Sequence, residues 1–229
     1  SQFGLALFIL MIGVLISIKN AGSLAAKYGS RNVAIPATIA MAFAMFLVSL
    51  ANTYLLFSVT LFIFGFTLAT QDISMNSHAI AVEHKYQKRF MSTFHATFSI
   101  GGLCGALLAG IFAENDVSIT AHSVLVGSCV VLFALLLRNW WLPASIDIHH
   151  ADKEKKKIRR PKIFIILGVL GFCGQIGEGA AGDWGGILAR DSFGASPFLS
   201  SMPYVLFSTT MVIGRLFGDR ITTKFSAGR

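Results

Sequence analysis

Charge is scarce in this chain. Asp, Glu, Lys and Arg make up only 13% of its 229 residues, where a soluble globular chain averages about 25%. With 54% hydrophobic residues and a mean hydropathy of +0.68, that deficit excludes an ordinary soluble domain. Cysteine is scarce as well. Cys104, Cys129 and Cys173 lie singly in apolar runs, with no CxxC pair and no Cys/His ligand spacing. Disulfide frameworks and zinc sites need such spacing, so buried free thiols are expected and no metal site. There is no phosphate-binding glycine loop, no HExxH and no nucleophile elbow. ATP-driven transport and intramembrane proteolysis therefore have no sequence support, and neither enzyme activity nor a cofactor is expected. The sequence shows no signal-peptide pattern of a basic start and a small-residue cleavage site; Ser1 leads straight into a hydrophobic run, so the chain is expected to begin inside a longer protein.

What the chain has in quantity is long apolar segments. A transmembrane helix needs roughly 20 mostly apolar residues. Seven stretches qualify, at about 3–24, 33–51, 54–78, 91–113, 121–141, 163–189 and 197–217. The fold class expected is all-α, a polytopic transmembrane helical bundle. The connections are short apart from the one that contains "HHADKEKKKIRRPK" (149–162), which is too polar to fold alone. The expected organisation is an incomplete amino-terminal half-bundle of five spans (1–142), a basic linker (143–162) and two spans of a carboxy-terminal half (163–229). His149 and His150 read as part of the solvated linker.

Basic residues fall on one side of this arrangement. Lys19, Lys27 and Arg31, then Lys85, Lys88 and Arg89, then Arg138 through Lys162, then Arg215 through Arg229 share it; of the 19 Lys and Arg only Arg190 lies opposite, with Glu114 and Asp116. Lys and Arg accumulate in cytoplasmic loops. The formal net charge of +8 is thus a topology signal, and no nucleic-acid partner is needed to explain it. A multi-pass protein of the plasma membrane is expected, with the bilayer as its partner.

The segment after the first span reads "GSLAAKYGSR" (22–31), and the segment after the last reads "RLFGDRITTK" (215–224). Displacing the first by 193 positions aligns Lys27 with Arg220 and Arg31 with Lys224 and puts Asp219 against Ala26. Paired basic segments in two halves are what a duplicated transporter carries. Gly22, Leu24, Lys27, Gly29 and Arg31 resemble the cytoplasmic gate motif of the major facilitator superfamily, Gly-x-Leu-x-Asp-Arg/Lys-x-Gly-Arg-Arg, with Asp219, Arg220 and Lys224 as its second copy. "DISMNSHAIAVEHKYQKRFMSTFHATFSIGGLCGALLAG" (72–110) and "GEGAAGDWGGILARDSFGASP" (177–197) resemble the fucose-permease-like branch. The resemblance covers essentially the whole chain and implies part of a twelve-helix 6+6 fold, helices two to eight. Ala26 stands where the motif has a carboxylate, and "GGLCGALLAG" lacks the proline of the antiporter signature.

Charged residues inside spans are functional candidates by default. Asp72 and Asn76 are four apart and share a helical face. Folding the next span back about its basic loop sets Asn76 level with roughly His95 and Asp72 level with Ser99. Burial raises a carboxylate's pKa, so a desolvated Asp72 could bind and release a proton; the resemblance implies the same role for an acidic residue of the fourth family helix. The alternative is a protonated Asp72 that merely bonds Asn76 or a carbonyl. Glu178 and Asp183 lie among glycines 171, 174, 177, 179, 182, 185 and 186, each costing about 1 kcal/mol in a helix relative to alanine. Glycine-interrupted spans point to a transporter's central site. Glu178 is the second proton-coupling candidate, and Gln175, Asp183 and Trp184 join Asn76, His95 and Ser99 as candidates for a solute cavity. Helix packing and an interfacial aromatic belt are the structural alternatives for the glycines and Trp184. Gly101 and Gly105 form a GxxxG of the kind that packs helices.

Two functions fit seven spans. One is a secondary transporter of a small polar solute, such as a sugar, working by alternating access with proton symport. The other is a seven-helix receptor or a non-transporting sensor. The third span lacks Asp/Glu-Arg-Tyr at its cytoplasmic end, and the last lacks Asn-Pro-x-x-Tyr and a retinal lysine. A receptor leaves the repeated basic segment unexplained, so the transporter is the better reading.

Overall fold

A helix satisfies every backbone donor and acceptor within one apolar segment, which is why it spans bilayers. The computed structural model describes residues 2–148 and 162–225, with side chains for 2–148 and 163–217, and no strand forms among them. The helices are α1 (Gln2–Tyr28), α2 (Ser30–Ser49), α3 (Tyr54–Tyr86), α4 (Met91–Glu114), α5 (Ile119–Leu137), α6 (Lys162–Gly179), α7 (Gly185–Phe193) and α8 (Pro197–Phe225). Two 3-10 turns, Arg138–Trp140 and Ala144–Ile146, follow α5, and one π turn, Ala180–Trp184, joins α6 to α7.

Six stretches among the described residues are long and apolar enough to cross a membrane, with α6, the π turn and α7 counting as one. The chain is therefore a multi-pass helical membrane protein, as its hydropathy indicated. The seventh expected span is also helical, but α8 is not among the six. Ser200, Ser201, Ser208, Thr209, Thr210 and Arg215 dilute its apolar character.

Packing is inverted relative to a soluble protein. The buried residues are mainly small, including Ala6, Ala21, Ala34, Ser17, Ser30 and Ser74, while Phe8, Leu15, Leu55 and Phe172 stand exposed. Lipid is as apolar as leucine, so membrane helices associate through small residues rather than large ones. The cysteines correct the sequence reading on the same ground: Cys104, Cys129 and Cys173 are all exposed. In a bilayer an apolar side chain needs no protein core to leave water.

The helices group into two compact units. The first holds α1, α2, α3 and α5 with residues 138–148; α3 packs along α1 and α2, and α2 also packs on α5. At Gly65 a methyl group would run into the carbonyl oxygen of Leu10, and at Gly13 into that of Phe62 and, at 3.0 Å, the Phe66 nitrogen. These two glycines let α1 and α3 touch backbone to backbone. Ser17 Oγ and Thr70 Oγ1 share a hydrogen bond of 2.7 Å across the same pair.

The second unit holds α4, α6, α7 and α8. Here α4 and α8 run antiparallel. The Phe198 N–H donates to Glu114 Oε2 at 2.8 Å, placing a carboxylate at the positive end of α8. Further along, Gly110 lies against Ser201 and Gly102 against Tyr204. Gly101 and Gly105, the pair expected to pack, have open space beside them; the contact face is one position round the helix. This grouping follows packing and is a separate matter from the halves 1–142 and 163–229 expected of the repeat.

The charge partition of the loops makes one orientation testable. A cysteine placed at the exposed Ser145, in the connection after α5, should resist an impermeant maleimide applied to intact cells and react after permeabilisation. Efficient labelling from outside would reverse the topology.

Candidate functional site

Asp72 lies two residues past the midpoint of the 33-residue α3, about 27 Å along the axis from Tyr54 at 1.5 Å per residue. Its Oδ1 accepts a hydrogen bond from Asn76 Nδ2 at 3.1 Å, and the same amide donates to the Asp72 carbonyl at 2.9 Å. One helical turn thus supplies the carboxylate with a fixed donor and sets its rotamer. Asp72 is exposed on α3 and Asn76 partly so, leaving the second carboxylate oxygen open to solute, water or proton.

His95 and Ser99 lie on α4, in the second unit, whereas Asp72 and Asn76 belong to the first. Their partner there is Arg215 of α8. Arg215 Nη1 donates to the His95 carbonyl at 2.9 Å and to Ser99 Oγ, whose side chain is buried. The sequence placed Arg215 among loop cations, but α8 continues as a helix to Phe225 and carries it on the face toward α4. Hydrogen bonds made by a charged donor contribute about 1.5–3 kcal/mol each. Arg215→Ala should therefore lower the detergent melting temperature of the purified protein measurably, and Arg215→Lys, whose ammonium keeps the charge but lacks the planar guanidinium, should restore only part of the loss.

The glycine-rich span does not unwind. It continues as a helix through the π turn, which carries Asp183 and Trp184. Its glycines divide into two sets. A methyl group at Gly185 would meet Pro203 at 2.9 Å and one at Gly186 the Ser200 carbonyl oxygen at 2.9 Å, so this end packs on α8. Gly171, Gly174, Gly177 and Gly179 have nothing within 4 Å of an added methyl group among the described residues. Glu178 is half-buried, and Gln175, Asp183 and Trp184 are exposed. π turns inside α-helices frequently mark functional sites, because the extra residue re-aims the side chains on either side.

The gate-motif residues occupy the end of α1 and the start of α2. The sequence presented them as a loop; instead α1 runs on to Tyr28, since Leu24, Ala25, Ala26 and Lys27 are good helix formers. Gly29 alone makes the turn, with φ 83°. Lys27 Nζ lies 5.0 Å from the centroid of the Tyr28 ring, and Arg31 opens α2. The side chains of Asp219, Arg220 and Lys224, and residues His149 and His150, fall outside the described residues. No group of His, Cys, Asp and Glu suited to a metal occurs among the described residues.

Small-residue packing, membrane-length apolar helices and a carboxylate bonded within its own helix define a polytopic helical membrane protein. The chain matches the Major Facilitator Superfamily model over residues 1–229 and belongs to that family. Among its relatives, the transporter y4wD of Sinorhizobium fredii is 28% identical over 99% of this chain and 60% of its own length. An MFS-type transporter of Yersinia pestis is 31% identical over 96% of the chain and 57% of its own, and membrane protein MosC of Rhizobium meliloti is 25% identical over 96% and 53%. The chain thus spans little more than half the length of these relatives. No solved structure matches it significantly.

Proposed function

We propose that the protein is a secondary active transporter, of the fucose-permease-like branch, that moves a small polar solute across a bacterial inner membrane by alternating access with proton symport. The observation that carries the coupling is the Asp72–Asn76 pair, a carboxylate held by its own helix in the middle of an apolar span. A charged side chain at that depth is costly unless it serves a cavity or a partner. The amide bonds one oxygen and leaves the other to exchange a proton. Glu178, half-buried beside the π turn, is the second candidate. Within the first unit Asn76, and within the second His95, Ser99, Gln175, Asp183 and Trp184, are each proposed as a group that would contact the hydroxyls or faces of a sugar-like solute. The experiment is uptake of radiolabelled sugars and other small polar solutes by cells producing the full-length protein, beside vector-only cells. Uptake of at least one solute, abolished by a protonophore, is the expected result.

A further inference from the structure

His78, near the end of α3, takes no part in the proposed transport chemistry, yet it is 9% exposed and fully engaged. The Leu142 backbone N–H donates to its Nε2 at 3.3 Å. Ser30 Oγ lies 2.8 Å from its Nδ1, and the Trp141 ring centroid lies 4.5 Å from its own. A peptide N–H can only donate, so Nε2 must present a lone pair. The single ring proton then sits on Nδ1 and is donated to Ser30. This is the neutral form, in one tautomer.

The same segment, 141–147, is fastened at two further points. Both oxygens of Asp147 accept from the Ser30 N–H, at 3.1 and 3.3 Å, a carboxylate on the amino-terminal end of α2. Ala144 packs on Gly29 so closely that its Cβ would lie 2.5 Å from a Gly29 side chain. The turn at Gly29 and the start of α2 are therefore held from outside by residues more than 110 positions later in the chain.

We propose that His78 is a proton-responsive latch, which holds this segment on the turn between α1 and α2 while its ring is neutral and releases it when Nε2 takes a proton. A protonated Nε2 is a donor facing the Leu142 N–H, and the peptide group cannot reverse its role. The ring's acceptor is lost and two donors confront each other. Among the described residues, the charged side chains facing the ring are Asp147 from the segment itself and Arg31 from α2. Docking and protonation are thus linked through one site. Docked segment is favoured above the midpoint, and below it the docked-to-free ratio falls about tenfold per pH unit for one proton. The inference rests on this geometry and does not depend on the transport reading.

Hydrogen–deuterium exchange of the full-length protein in lipid nanodiscs tests it, read on peptides covering 141–147 between about pH 5 and about pH 8 and corrected for intrinsic amide exchange. Protection should be constant at high pH and fall towards tenfold per unit below the midpoint. In His78→Gln, whose side-chain oxygen accepts from Leu142 without titrating, protection should no longer depend on pH. Leu142→Pro, which removes the N–H that Nε2 accepts, should likewise leave protection independent of pH, which keeps the proposal testable if His78→Gln fails to fold. A flat wild-type profile, or a pH dependence that persists in His78→Gln or Leu142→Pro, overturns the latch.

Discussion

Asp72→Asn in the full-length protein is expected to abolish accumulation of solute against its gradient while leaving exchange down the gradient largely intact. With one proton per solute, a pH difference of one unit supports about tenfold accumulation, the factor worth 1.36 kcal/mol. The variant should fall to a ratio of one. The amide keeps the size of the carboxylate and can still accept from Asn76, so the bond that fixes the rotamer survives. What it loses is the ability to gain and release a proton. If Asp72 only completes a helical hydrogen bond, accumulation stays near wild type, and Glu178 becomes the group to test. Membrane expression of the two proteins must be matched, so that loss of folding is not mistaken for loss of coupling.

Gly65→Leu is expected to abolish assembly of the α1–α3 pair. An added Cβ at Gly65 meets the Leu10 backbone, including its carbonyl carbon at 3.1 Å, and the helix backbone cannot yield as a side-chain tip can. Overpacking of this kind costs about 1–3 kcal/mol for a small excess of volume, which sets the scale for Gly65→Ala. The larger side chain should leave no monodisperse protein in detergent size exclusion. Gly168→Ala is the contrasting change, because nothing lies within 4 Å of the added methyl group among the described residues. There the helix propensity gain of about 1 kcal/mol should appear as unchanged or raised thermal stability. Equal behaviour of the two alanine variants would remove backbone contact as the reason for Gly65.

The spans were legible in the sequence because length and hydropathy are local properties, and a bilayer enforces both. Asp72 and Asn76 were legible as a pair because a spacing of four within one helix settles their proximity. His95 and Ser99 were placed correctly on the next span but not with their partner. Levelling two consecutive helices uses only the hairpin between them, whereas Arg215 arrives from 116 residues away. Its charge was counted as a loop signal because nothing local says that α8 continues past it. The gate motif was read as a loop for want of weighing its own helix formers. The glycines of 171–186 announced a weak helix, but the form taken, a π turn, depends on how α7 seats on α8. The network of Ser30, His78, Leu142 and Asp147 had no local signature: its hydrogen bonds join residues 48 to 117 positions apart.

The central claim is proton-coupled transport through Asp72, and proton movement tests it most directly. The full-length protein is reconstituted into liposomes containing a pH-sensitive dye, with no imposed gradient, and a solute identified by uptake is added outside. Symport predicts acidification of the interior that rises with solute concentration and is absent with Asp72→Asn. Solute entry at a normal rate with no change in internal pH would contradict the account.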